Sequence, residues 1–277
     1  MTTSIRQGLR RLAAGLLVPA LLAACTSAPP TAAGIVWQPD GLTTRPHGNW
    51  QQIGVHKMLV QWAMVDNHGI VDGCGATPLV PAPDWDRIAA EPWAHDIILG
   101  LGGRFSERDA RGQLDALLAQ SRCIAALPLP FKVSGWYFPV EIDPTWTNAA
   151  TMTPILNQLP RPLWVSVYDN SNIGGQALAD WLAGWLPSDV GVFFQDGVGM
   201  HIRSAPVAAT YMRALQQRLG SPRVRVIAEA FRPAPGGGFR AATAAELGPQ
   251  LQTYSGYETY LFEGPRYVPQ VTLDGLR

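Results

Sequence analysis

Lysine is nearly absent: of 21 basic residues only Lys57 and Lys132 are lysines, which leaves few candidates for Schiff-base chemistry. An excess of one charge is absent too, because 21 Lys and Arg balance 21 Asp and Glu. With no block of like charge, a nucleic-acid partner held on a basic surface has no support. His47, His56, His68, His95 and His201 show no His-x-His, His-x3-His or Glu-x-x-His spacing, so neither a metal nor any other cofactor is expected. The chain also lacks a Gly-x-Ser-x-Gly elbow and a phosphate loop. Its nearest match to a dinucleotide fingerprint, Gly100-Leu101-Gly102-Gly103-Arg104-Phe105, misses the third glycine. What remains is 277 residues, 47% of them hydrophobic, enough to bury one large core.

The amino terminus reads as an address. Arg6, Arg10 and Arg11 precede an apolar run from Leu12 to Ala24, which is too short to span a bilayer and has the build of a secretory signal over residues 1–24. Leu22-Ala23-Ala24-Cys25 resembles a bacterial lipobox, which makes Cys25 the expected lipid anchor. Residues 25–49 are then an acylated cysteine and tether, and 50–277 the folded body. The resulting localisation is the periplasmic face of the envelope, with Thr26 after the anchor pointing to the outer membrane. In that oxidising setting Cys74 and Cys123 either close a 49-residue loop or stay as buried thiols.

From Lys57 onward, short runs rich in β-branched and aromatic residues alternate with stretches of helical period. The pattern predicts strands near 57–65, 95–101, 132–142, 162–169, 189–196, 223–230 and 256–262, with helices over 106–127, 176–186 and 205–219. An eighth strand is available at Gly34–Trp37 or in the tail at 266–273. The expected fold is α/β, a (β/α)8 barrel that is complete or lacks its last helix. In such a barrel the carboxyl ends of the strands converge on one mouth.

Acidic residues collect at those ends. Asp66, Asp143 and Asp169 read as turn formers or caps. Glu141 and Glu229 differ, because each is a glutamate inside apolar sequence, where a carboxylate is costly unless it has a task or an arginine partner such as Arg232 or Arg104. Asp196 is the reserve carboxylate. Sugar rings pack their C–H faces on aromatic planes, so Trp62, Tyr137, Tyr168 and Phe231 are candidate platforms, with Gln61 and Gln195 as hydrogen-bond partners for hydroxyls. Side-chain alternation points Tyr137 inward, with Glu141, and sends Trp136 to the helix layer. Trp181 and Trp185, four apart on a helix, read as core.

Gly135-Trp136-Tyr137-Phe138-Pro139-Val140-Glu141-Ile142-Asp143, followed by Gln195-Asp196-Gly197-Val198-Gly199 and the strand ending in Glu229, resembles the DUF4434 family of exported TIM-barrel proteins over about residues 50–265. The resemblance implies a glycoside hydrolase-like barrel with a carbohydrate site. By analogy with retaining barrel glycosidases, it makes Glu141 the acid/base and Glu229 the nucleophile, although Val140 stands where that clan has Asn. The expected function is hydrolysis of a polysaccharide or oligosaccharide by a lipid-anchored enzyme. The alternative is a non-catalytic glycan-binding barrel in exopolysaccharide or envelope assembly.

Overall fold

The computed structural model describes Met1 and residues 29–277. The expected signal segment and the anchor Cys25 lie outside the described residues. Eight parallel strands close into a barrel in chain order: β1 (Gly34–Trp37), β2 (Lys57–Val60), β3 (Asp96–Gly100), β4 (Val133–Tyr137), β5 (Leu163–Val167), β6 (Val190–Gln195), β7 (Val224–Glu229) and β8 (Thr259–Phe262). The barrel closes where β1 pairs with both β8 and β2. Residues 34–37 therefore belong to the folded body, which begins at β1 and not at residue 50. The tether reading of 25–49 fails for this stretch because all four residues of Gly34–Trp37 are buried in the ladder.

The helical layer is uneven. After β1 there is only a 3-10 turn, Trp50–Ile53, and after β2 a short α1 (Trp85–Ala90). The helix expected over 106–127 is two, α2 (Glu107–Gly112) and α3 (Leu114–Ala125), broken at Gln113. Ser106 caps α2 by accepting the Asp109 N–H. Next come α4 (Met152–Leu156), α5 (Gly175–Ala183), α6 (Ala205–Leu219) and α7 (Ala244–Thr253), and after β8 two short pieces, α8 (Gly264–Tyr267) and α9 (Gln270–Gly275). Among the described residues no helix is long and apolar enough to cross a membrane.

Strand alternation sorts the side chains into two cores. One inward residue per strand forms the barrel interior, including Val36, Leu59, Trp164, Phe193 and Tyr260. The intervening residues, such as Ile35, Met58, Val165 and Phe194, pack outward against the helices. Tyr137 joins the interior and Trp136 the outer layer, as the alternation requires. At the amino-terminal end Arg225 lays its guanidinium 3.7 Å from the Trp164 ring centre. The floor of the mouth is thus solid side-chain packing, not a channel. Trp181 and Trp185 meet edge to face at 5.5 Å against the outer core.

Cys74 and Cys123 are bonded, which pins the excursion after β2 to α3. Closing a loop across a sequence separation of 49 removes unfolded-state entropy worth about 4 kcal/mol. The double variant C74A/C123A is expected to lose about that much unfolding free energy. Urea titration of the oxidised wild type against the variant measures it, and equal midpoints would refute it.

Candidate active site

The inward set at the carboxyl ends of the strands encloses a cavity of about 200 Å³, below the range of roughly 300–1,000 Å³ common for drug-sized ligands. Its floor is Val36, Leu59, Tyr137 and Ile227, and its polar wall is Gln38, Gln61, Glu107, Glu141, Ser166 and Gln195. Tyr137 donates its hydroxyl to Ser166 Oγ at 2.7 Å. Gln195 Nε2 donates to Glu141 Oε2 at 2.6 Å, and the backbone N–H of Glu141 donates to Glu107 Oε2 at 2.9 Å. The Gln61 carbonyl oxygen is buried with no partner among the described residues.

Both cavity carboxyls are raised, and Glu107 responds to Glu141. Burial first, and then the Glu141 charge, pushes the Glu107 carboxyl up to about 7. Burial likewise raises Glu141, against the stabilising Gln195 amide and the nearby Arg111. Two carboxyls in one poorly solvated cavity disfavour each other's ionisation. Neither Glu141 nor Glu229 forms an ion pair among the described residues; Arg104 and Arg232 bond instead to amide and backbone oxygens. The arginine lock that would have explained these glutamates structurally is not there.

Counting β1 puts Glu141 just beyond β4 and Glu229 at the end of β7, both at the same mouth. They do not share the cavity. The loop after β6 folds over Glu229, and Met200 donates its N–H to Glu229 Oε2 at 2.9 Å. Gly197 turns that loop at φ 66°. Gly199 allows the close approach, since a Cβ there would lie 2.7 Å from the Phe231 carbonyl oxygen. Glu229 is 4% exposed, and its carboxyl is pushed up to about 7 by burial and by the charge of Asp196.

Asp196 takes no place in the cavity. It has the outward parity of Phe194, is fully buried, and receives four hydrogen bonds: the N–H groups of Val198 and Glu229 at 3.1 Å, the Gln250 amide at 2.5 Å and the Tyr254 hydroxyl at 2.8 Å. Burial nonetheless raises its carboxyl. Trp62 is corrected likewise: opposite in parity to Gln61, it lies buried and donates Nε1 to the Pro39 carbonyl at 3.1 Å. Phe231 starts a hairpin with Phe239–Ala241 and packs on Phe239, Tyr267 and the lining residue Phe262, without lining the cavity itself. Tyr168 has inward parity and a buried hydroxyl without a partner among the described residues, but it too lies outside the lining. Of the expected residues, then, Gln61, Tyr137, Glu141 and Gln195 come together, and Glu107 joins them unforeseen. Among the described residues no cluster of three or more His, Cys, Asp or Glu could hold a metal ion.

The Glu229 environment has a pH signature. A carboxyl near 7 in the folded chain against an ordinary 4.5 binds its proton more tightly folded than unfolded. Stability is therefore lost as pH rises from about 4.5 to about 7. E229Q should be more stable than wild type by roughly 2–3 kcal/mol at pH 8, with the difference vanishing at pH 4. Thermal unfolding at both pH values checks this, and a constant offset would contradict it.

No family model and no curated protein matches the sequence. Among solved structures the chain is similar to one from Bacteroides thetaiotaomicron VPI-5482, described as a candidate alpha-L-fucosidase. The identity is 15%, 96% of each chain is covered, and the TM-score is 0.60. That likeness establishes the fold, a closed (β/α)8 TIM barrel.

Proposed function

We propose that this protein is a glycoside hydrolase-type enzyme of the cell envelope that cleaves a polysaccharide or oligosaccharide at the barrel mouth. The observation that carries the reading is Glu141, a carboxyl without a direct ion pair among the described residues, lining a polar cavity beside a second carboxyl, Glu107. Glycosidic cleavage needs one carboxylic acid to protonate the leaving oxygen and one carboxylate to attack or to activate water. Glu141, raised by burial, suits the acid. We assign the second role to Glu107 in place of Glu229, because Glu107 shares the cavity. The aromatic and amide wall of Tyr137, Gln61 and Gln195 suits a sugar ring and its hydroxyls.

The envelope location rests on the lipobox-like Leu22-Ala23-Ala24-Cys25 and is consistent with the Cys74–Cys123 bond. Acylated Cys25 would hold the chain, in the outer membrane by our reading. The DUF4434 likeness of the Gly135–Asp143 segment points the same way. The test is release of reducing ends from a panel of envelope and exopolysaccharide glycans. Saturable binding without release would instead give the non-catalytic glycan binder, and neither binding nor release would end the carbohydrate reading.

A further inference from the structure

The polar wall of the cavity carries two carboxyls among neutral amides and a hydroxyl. Among the described residues no lysine, arginine or histidine lines it. Arg111, outside the lining, lowers both carboxyls through its charge but spends a guanidinium N–H on the Glu141 backbone oxygen at 2.9 Å and lies over the Trp146 ring. Glu107 and Glu141 each have one carboxyl oxygen engaged by the bonds already described and one without a protein hydrogen bond. The Gln61 carbonyl oxygen is buried and unpartnered. Gln195, having given an amide hydrogen to Glu141, keeps its own carbonyl oxygen as an acceptor. Acceptors of negative character therefore converge from three strands and one helix on a space of about 200 Å³.

A neutral sugar can satisfy these acceptors only with hydroxyl hydrogens and leaves the negative character of the carboxyl pair uncompensated. An acidic sugar adds a third anion. A primary ammonium supplies three hydrogens and a positive charge together. We propose that the cavity selects a basic sugar, a hexosamine unit with a free amino group, over neutral, N-acetylated or acidic units. The proposal rests on the carbohydrate reading above and specifies the substrate class of the same site. Raised carboxyls add a consequence: binding the cation favours ionisation of the Glu107–Glu141 pair, so protons leave as the ligand enters.

The experiment is calorimetric titration of the full chain at pH 7 with glucosamine oligomers, N-acetylglucosamine oligomers, cello-oligosaccharides and oligogalacturonate, repeated in two buffers of different ionisation enthalpy. The glucosamine oligomers should bind at least about tenfold tighter than the others and release protons. In E107Q that preference should fall to within about twofold, while thermal unfolding shows the variant folded. E141Q, which keeps Glu107, should retain part of the preference. Equal affinities, a preference for the acetylated, neutral or acidic oligomers, or no binding of the glucosamine oligomers would overturn the proposal. Cleavage of a neutral or acetylated glycan without amine preference would overturn it and leave the hydrolase reading standing. Amine-selective binding without cleavage would do the reverse.

Discussion

Glu141→Gln should lower the turnover of a cleaved glycan by about 10²–10⁴-fold while leaving its KM within about threefold. The substitution is isosteric, and its amide oxygen can still accept the Gln195 Nε2 hydrogen that now reaches Glu141 Oε2 at 2.6 Å. The cavity keeps its shape, and what disappears is the transferable proton. The pH profile carries the sign of the assignment. If Glu141 is the acid, activity falls on the alkaline side as its raised carboxyl ionises. On the acidic side it falls as the second carboxylate becomes protonated. These limbs belong to the pair, not to either glutamate alone. Glu107→Gln removes the neighbouring negative charge, so the alkaline limb should move to lower pH in whatever activity survives. Unchanged turnover in Glu141→Gln would remove it from the acid role. Loss of turnover in E229Q together with near-normal turnover in E107Q would return the second carboxylate to β7.

How much of this site was legible without a structure depended on one periodicity. The strands announced themselves through β-branched and aromatic runs, and β1, only four residues long, was visible as one of two choices for the eighth. Alternation placed Tyr137 inside and Trp136 outside. The same rule separates Gln61 from Trp62 and Gln195 from Asp196: in each pair the first faces the cavity, while Trp62 turns to Pro39 and Phe105 and Asp196 to Gln250 of α7. An acid at a strand end is a mouth residue only when it shares parity with the interior positions, and Asp169, Asp196 and Glu263 do not. Each is fully buried and tied to helices or loops, Glu263 by the Gln38 N–H and Arg266. Phe231 escapes the rule because the chain leaves the barrel ladder after Glu229 and turns into a hairpin. Glu107 had no periodic signal. In Ser106-Glu107-Arg108-Asp109 it reads as the solvated first turn of a capped helix. Only the long-range bond from the Glu141 N–H, 34 residues away in sequence, brings it to the cavity.

Asp196→Ala should lower the unfolding free energy by about 3–5 kcal/mol, the largest stability loss expected from a single substitution at this mouth. The carboxylate is the common acceptor for four donors, two backbone N–H groups, the Tyr254 hydroxyl and the Gln250 amide. Removing it strands them in an interior that water does not reach, at about 1–3 kcal/mol for each donor left unpaired. Two effects oppose the loss. The burial penalty on the Asp196 charge disappears, and Glu229, held at about 7 by burial and by that charge, can ionise more easily. Asp196→Asn should fall in between, because its oxygen can serve the Val198 and Glu229 N–H groups and its amide can donate to the Tyr254 oxygen, while the Gln250 amide loses its acceptor. Urea unfolding of the three proteins should therefore order them wild type, Asn, Ala. The series also separates a support from a reacting group. If Asp196 carried the chemistry, Asp196→Asn would lose turnover by the factor expected for Glu141→Gln at nearly full stability. As a support it should lose stability first, with kcat of the folded fraction within about tenfold of wild type.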